Sequence, residues 1–507
     1  MVWTTLAERS DVDVRRVFTD QSEPLHKNCD LFGLSLSWEL DGPILLDLLE
    51  KQHIPKWSYQ RGDKDSIVFG GGPVLTANPE PFAPFLDVVL LGDGENLIPD
   101  FIDGVQKFKD LPRIDKLKNL AQIPGIYVPQ LYVPEYKTDG SLKSIKPIDA
   151  STPNFVSKQT WEGNTLTHST VITPDAAWPN IHMVETVRSC PELCRFCLAS
   201  YLTLPFRIPS LEDGLIPAIE KGLTATKRIG LLGASVTQHP QFAELLDWIS
   251  QDCFNDIRLS LSSVRASTVN AQMTRILSRR NCKSLTVAIE SGSERMRKVV
   301  NKKLSEEEIF SAAKYAIDGG LTSLKLYGMV GLPTEEEDDV EATADLLVRI
   351  KRKTTGLRLT LGVSTFVPKA HTPFQWYGIN PKANKRLKLL AKILKPNGIY
   401  LRPESYGWSV IQALISRSDR RLAPVIATMQ GSKQSLGNWK KAYRKIQEES
   451  IANASNQLIN LPTWEDVIHK KWKTSKILPW SHLRGPLKAE ILIEHQKQSL
   501  NHLVDPN

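Results

Sequence analysis

Arg188–Ser200, RSCPELCRFCLAS, places Cys190, Cys194 and Cys197 in a CxxxCxxC spacing. Three thiolates in one tight loop can converge on a single inorganic centre, and soft sulfur ligands select iron–sulfur clusters or zinc over hard cations. A structural zinc site takes four protein ligands, usually as two knuckles a dozen or more residues apart. Neither a second CxxC nor a His pair follows here. Three ligands leave one metal corner open, which a four-iron cluster needs if its fourth iron is to bind a substrate or cofactor.

Outward from this loop, between Ile181 and Trp376, apolar strand-length runs alternate with helical patterns. The strand candidates are HMVETV, RIGLLG, IRLSLS, SLTVAI, SLKLYGMV and LRLTLGVSTFV. Between them lie LEDGLIPAIEKGL, FAELLDWIS, STVNAQMTRILSRR, SEEEIFSAAKYAIDGG and TEEEDDVEATADLLVRIK. Ser305 with Glu308, and Thr334 with Glu337, read as capping boxes, and Gly319–Gly320 as a stop. Near-continuous apolar strands separated by helices predict a parallel sheet buried on both faces, with function gathered at the carboxyl ends of its strands.

With Phe196 just before the third cysteine, the CxxxCxxC loop is identified as a signature of the radical SAM superfamily. The resemblance implies an α/β core over 181–376, an incomplete parallel (β/α)6 TIM-like barrel. It implies a [4Fe-4S] cluster on Cys190, Cys194 and Cys197 whose open iron chelates S-adenosylmethionine (SAM). An electron from a donor such as flavodoxin or ferredoxin then yields a 5′-deoxyadenosyl radical that abstracts a substrate hydrogen, while the protein orients the reactants and excludes water and oxygen. It also implies SAM contacts at the strand ends. Gly233, Ala234 and Ser235 follow the second strand, without the acidic residue the family often has there. Ser263 and Arg265 follow the third, with Arg265 meeting a carboxylate or forming a surface salt bridge. Glu290 ends the fourth as an acid meeting ribose or methionine. Gly331, Leu332 and Pro333 resemble a turn beside the adenine, which the backbone around Phe366 and Val367 would bracket. His371 reads as a loop histidine satisfied by backbone, with proton donation as its other reading.

Residues 1–150 hold the strands CDLFGLSLSW, SIVFGGGPV and FLDVVLLGDGE, with a helical GPILLDLLEKQHI after the first. This predicts a doubly wound α/β layer whose terminal glycines, Gly70–Gly72 and Gly92 with Gly94, serve either ligand approach or tight turns. The segment is similar to the cobalamin-binding-like domain that precedes the core in an uncharacterised bacterial group of radical SAM proteins. The similarity rests on LFGLSLSWEL with Ser35 and Ser37, on GGGPVLTANPEPF and on LLGDGE. The histidine-ligand motif DxHxxG does not occur, and His26 and His53 do not fit it, so the expectation is that this chain does not bind cobalamin. The opening VWTTLAERSDVDVRRVF reads as a helix and a following strand with no strand before it. That implies a truncated domain lacking its first β-unit, and a true start upstream of Met1. Residues 151–180 read as an irregular connector.

The 507 residues, 41% hydrophobic and 24% charged, suit a soluble chain of several domains. No apolar run approaches a membrane span and the first residues lack a signal-peptide core, which predicts a cytoplasmic protein. Six cysteines exclude a disulfide scaffold, and Cys29, Cys253 and Cys282 read as buried thiols. Residues 377–507 change to helices with basic faces, ANKRLKLLAKILK and LGNWKKAYRKIQEE, along with RSDRR and HKKWKTSK. They are expected to be mainly helical, to cap the open barrel and to shape the substrate entrance. With a net charge of +8, these basic stretches are either a solvated face or an RNA-binding surface. No oligonucleotide-binding barrel or second cysteine cluster accompanies them, which counts against a methylthiotransferase. The expected function is a radical SAM enzyme acting on an unknown substrate, RNA or an anionic small molecule in preference to an acyl chain. The competing class is a non-catalytic cluster-binding protein that contacts RNA through its basic tail, and SAM binding discriminates the two.

Overall fold

The structure, a computed structural model, describes residues 2–17, 29–452 and 461–501; His26 lies outside them. Strands β1 (Leu31–Ser35), β2 (Ile67–Gly71) and β3 (Val88–Leu90) run parallel in that order, and β4 (Ile126–Tyr127) pairs antiparallel with β3. Val68, Val88 and Val89 are fully buried, as strands covered on both faces require. The opening helix Val2–Ala7 packs on helix Gly94–Lys107, and Arg9 pairs with Asp103 at 2.7 Å. The expected opening helix is thus present, but residues 8–17 form no strand after it, in contrast to the reading. The glycine ending β3 answers to protein backbone: Gly92 has φ +109°, and a Cβ would overlap the carbonyl oxygen of Gln159.

The second sheet system forms the core. Strands β5 (His182–Val187), β6 (Arg228–Gly233) and β7 (Arg258–Leu261) are parallel neighbours. So are β8 (Ser284–Glu290), β9 (Ser323–Val330), β10 (Arg358–Thr365) and β11 (Tyr400–Pro403). Among the described residues a parallel bridge from Val264 to Val287 joins the two sheets into an open arc. The six expected strands are present, and β11 adds a seventh from residues read as part of a helical region. Its sequence, YLRP, hid it: this edge strand buries only one side, so it lacks a continuous apolar run. Leu231, Leu259, Val287, Leu326 and Leu361 pack under the helices, whereas Leu232 and Tyr327 on the opposite face remain 38% and 48% exposed. That face of the arc is open.

Ser305 and Glu308 form the expected capping box. At the next helix the box is Glu336 with Asp339, not Thr334 with Glu337. Glu335 turns back to accept the Gly331 amide at 2.6 Å, so the helix begins only at Glu337.

The carboxyl-terminal helices Tyr406–Arg417, Ala423–Met429 and Leu436–Ala452 depart from the expected cap over the barrel. They pack on the N-terminal sheet, where Phe82, Phe85, Ile411, Val425 and Trp439 share one core. Arg420 pairs with fully buried Glu80 at 2.8 Å, and Asn78 Nδ2 donates to the carbonyls of Ser416 and Ser418. Arg417 donates to the carbonyls of Val467, Ile468 and Lys470, and Arg421 pairs with Asp419 at 2.7 Å. The arginines of SRSDRR therefore hold the fold together rather than form a basic surface. Helix Ala383–Leu394 packs on the core, and the last helix, Ala489–Leu500, reaches it beside the cluster loop through His495 Nδ1 and the Tyr201 hydroxyl at 2.8 Å. All six cysteines are free, but Cys253 is exposed and Cys29 and Cys282 are half-buried, contrary to their reading as buried thiols. Among the described residues no helix is long and apolar enough to cross a membrane.

Candidate active site

The cysteine loop leaves the carboxyl end of β5 and is pinned on every side. The Arg195 amide donates to the Val300 carbonyl, and its guanidinium donates to the carbonyls of Lys298 and Val299 at 2.9 and 2.8 Å, closing the end of helix Glu294–Val299. Asn301 Nδ2 donates to the carbonyls of Glu192 and Leu193. On the other side, Gln238 Nε2 donates to Glu192 at 2.6 Å, and Gln238 Oε1 accepts from Ser235 and, at 3.9 Å, from Cys190. Arg265 pairs with Glu192 at 3.0 Å. Of its two expected roles this is the salt bridge, made half-buried to the cysteine loop itself.

Cys190 and Cys194 are buried and Cys197 is half-buried. Burial pushes the Cys194 thiol up to about 12, against the pull of nearby Lys302, and raises Cys197 as well. Lys302 pairs with Glu290 at 2.8 Å; burial alone would lower it, but Glu290 and the thiols hold it above its ordinary value. Glu290 sits at φ +64°, a strained conformation for a non-glycine residue at the end of β8. Among the described residues no three His, Cys, Asp or Glu side chains converge on a point fit for one ion. A polynuclear cluster makes a different demand, since each thiolate takes a different iron, and three free thiols, two buried and one half-buried, in one braced loop fit it. Binding would displace protons that burial otherwise retains.

Phe196 and Phe366, far apart in sequence, meet in one apolar cluster with Met296, Met329 and Leu332. Gly233 and Ala234 line a cavity of about 470 Å³ with Met183, Glu185, Arg188 and Thr167–Ser169. Ser263 lies half-buried in the turn after β7, and Gly331 and Pro333 form the turn braced by Glu335. The Val367 side chain points away, into the core shared with the N-terminal sheet. His371 also lies outside the site: it is buried beside Gly485, and its Nε2 has no partner among the described residues.

Sequence reasoning missed the clamp from the N-terminal sheet. Arg188, the residue two before Cys190, binds Glu185 in a bidentate pair at 2.8 and 2.7 Å, Glu95 at 2.7 Å and Asp93 at 3.4 Å. Asp93 is held in turn by Arg207. Burial opposes ionisation of Asp93, yet its two arginines hold it below the usual carboxylate range. The LLGDGE string carried the signal, but nothing in it named the arginine it serves.

Family models match this chain as "Radical SAM proteins, N-terminal" over residues 1–129 and "Radical SAM superfamily" over residues 184–347. An uncharacterized protein of Methanocaldococcus jannaschii is 27% identical over 420 residues, 82% of this chain and 84% of that protein. A tRNA-2-methylthio-N(6)-dimethylallyladenosine synthase of Chlorobium phaeobacteroides is 25% identical over 184 residues, 33% of this chain and 39% of that enzyme. Among solved structures, the radical S-adenosylmethionine methyltransferase TsrM from Kitasatospora setae, with cobalamin and a [4Fe-4S] cluster bound, superposes with a TM-score of 0.54 at 12% identity. The superposition covers 84% of this chain and 89% of TsrM and is a likeness of fold. It overturns the expectation against cobalamin, because an enzyme of this architecture is described with that cofactor in place. The missing DxHxxG speaks only to a histidine ligand, not to the corrinoid. Because both family models match and the three-cysteine loop stands at the mouth of an arc of parallel strands, this chain belongs to the radical SAM superfamily of enzymes.

Proposed function

We propose that this protein binds a [4Fe-4S] cluster on Cys190, Cys194 and Cys197 and uses it to act on SAM. The observation that carries the reading is the trio of free, largely buried thiols in one braced loop at the carboxyl end of β5. When bound and reduced by a donor such as flavodoxin or ferredoxin, the cluster would supply the electron that cleaves SAM to a 5′-deoxyadenosyl radical. Around it, Gly233, Ala234 and Ser235 would line the methionine end, Phe196 and Phe366 would shield the site from water, and Ser263, Gly331 and the backbone at Val367 would complete the wall. Lys302 pairs with Glu290, while Arg265 and Gln238 hold the cysteine loop through Glu192. On this reading residues 1–150 form the front domain, 181–376 the catalytic core, and 377–507 the brace between them.

A second outcome, transfer of the SAM methyl group with the help of a corrinoid, is favoured by the clamp that joins the N-terminal sheet to the cysteine loop through Asp93, Glu95 and Arg188. The test is anaerobic: the protein is reconstituted with iron and sulfide, reduced, given SAM with and without cobalamin, and its nucleosides are quantified. 5′-Deoxyadenosine made by the wild type and absent from the Cys190→Ala/Cys194→Ala/Cys197→Ala variant supports the first reading. Cobalamin-dependent S-adenosylhomocysteine supports the second. A chain that assembles its cluster yet neither binds nor consumes SAM under either condition defeats both.

A further inference from the structure

The open face of the arc carries chemistry that the cluster and SAM do not use. Strand register arranges its side chains in rows. One row runs Ala288, Tyr327, Gly362, Arg402, and the next, toward the amino ends, runs Thr286, Lys325, Thr360, Tyr400. Their neighbours Leu324, Leu326, Leu359 and Leu361 are buried under the helices, so by strand alternation both rows face the open side. Tyr327 is 48% exposed although its strand is flanked on both sides, and Tyr400 is 63% exposed. Gly362 lets the Tyr327 ring lie down over it: a Cβ there would stand 2.7 Å from Tyr327 Cε1. One side of the Tyr327 ring is therefore spent on Gly362, and the other is displayed mid-sheet.

Within the strands the charge on this face is one-sided, although exposed Glu404 follows two residues beyond Arg402, its amide on the Val363 carbonyl. The seven strands contain only two acidic residues, Glu185 and Glu290, and these are committed to Arg188 and Lys302. Among the described residues neither Lys325 nor Arg402 forms an ion pair, and they stand on the two strands that flank Gly362. Their strands lie two spacings apart, about 10 Å, a span that two long cationic side chains can close on one anionic group. Met329, two residues beyond Tyr327 and about 7 Å along the strand, shares an apolar cluster with Phe196 of the cysteine loop. A ring lying on Tyr327 would sit just beneath that loop.

We propose that this face binds the substrate and that the substrate is a small planar aromatic molecule bearing a carboxylate or phosphate. Its ring packs on the exposed side of Tyr327, and its anionic group is held by Lys325 and Arg402. The inference rests on the reading that chemistry takes place at the cysteine loop, but its test needs no turnover.

Equilibrium dialysis of the full-length protein, reconstituted anaerobically, would compare AMP with adenosine and ribose 5-phosphate, and indole-3-acetate with indole and acetate. The two series separate a phosphate from a carboxylate source. An anionic aromatic member of either series should bind at least about ten-fold tighter than its neutral ring and its ringless anion. Tyr327→Ala, Lys325→Gln and Arg402→Gln, each first shown by melting to be folded, should each weaken that probe at least about five-fold. Equal binding of charged and neutral rings, affinities unmoved by the three variants, or no probe bound at millimolar concentration would each overturn the proposal. An RNA oligonucleotide bound equally well by wild type and Tyr327→Ala, with no mononucleotide bound, would likewise overturn it. Probe binding without SAM consumption would instead count against the reading of the cysteine loop.

Discussion

Gly92 shows how one residue can be dictated by a partner far along the chain. Its φ of +109° and the Gln159 carbonyl pressed against it leave no room for a side chain. Gly92→Ala should lower stability by at least about 2 kcal/mol, through backbone strain and the forced shift of a segment that also carries the Gln159–Leu91 and Asp93–Gln159 backbone hydrogen bonds. Urea unfolding would measure it, and a loss under a few tenths would show that the connector yields freely. The same scale holds the three cysteines, whose spacing was legible in the sequence because a cluster loop must be local. Lys302 and Gln238, which touch the site from other elements, left no comparable trace.

At the scale of elements, the cysteine loop is held between helix Glu294–Val299 and the Asp93–Glu95 turn. Arg188→Met would leave Glu185, Glu95 and Asp93 without their shared cation while leaving the three thiols in place. Several-fold faster loss of iron to a chelator is the expected result, with the native circular dichroism retained; an unchanged release rate would mean that Arg195 and Asn301 suffice to hold the loop. Six of the seven core strands were legible because each reads as a strand-length apolar run, which YLRP does not. The start of helix Glu337–Lys353 was not, because Glu335 is diverted to the Gly331 amide by a turn whose shape depends on neighbouring strands.

Across the whole molecule, the tail is welded to the front domain around buried polar groups. Arg420→Ala would strand fully buried Glu80 without its cation and should cost about 3–5 kcal/mol. A thermal melt would detect it, and a shift near zero would mean that His482 and Tyr127 take over the charge. His371 and His482 supply a pH dependence: burial lowers each to about 4. An unfolded chain takes up their protons below about pH 6.5, whereas the native chain takes them up only near 4. Their contribution is therefore full above 6.5 and drains away as pH falls toward 4, by about 3 kcal/mol per histidine at most. Urea midpoints at pH 7.5 and 5.0 should differ less in His482→Gln than in the wild type; an equal difference would assign the acid sensitivity to carboxylates instead.

The sequence by itself determined the cluster loop, the parallel core and the α/β nature of the front segment, because ligand spacing, strand burial and capping are local properties written in consecutive residues. Only the tertiary structure decided what joins these parts. The tail could not be read as the front domain's partner, since a basic, helical pattern looks the same whether its arginines meet water or, like Arg417 and Arg420, buried carbonyls and a carboxylate. The open face of the arc was equally hidden: alternation says that Tyr327 and Leu326 point opposite ways, but which side is roofed by helices and which stays open is settled only when the strands are paired.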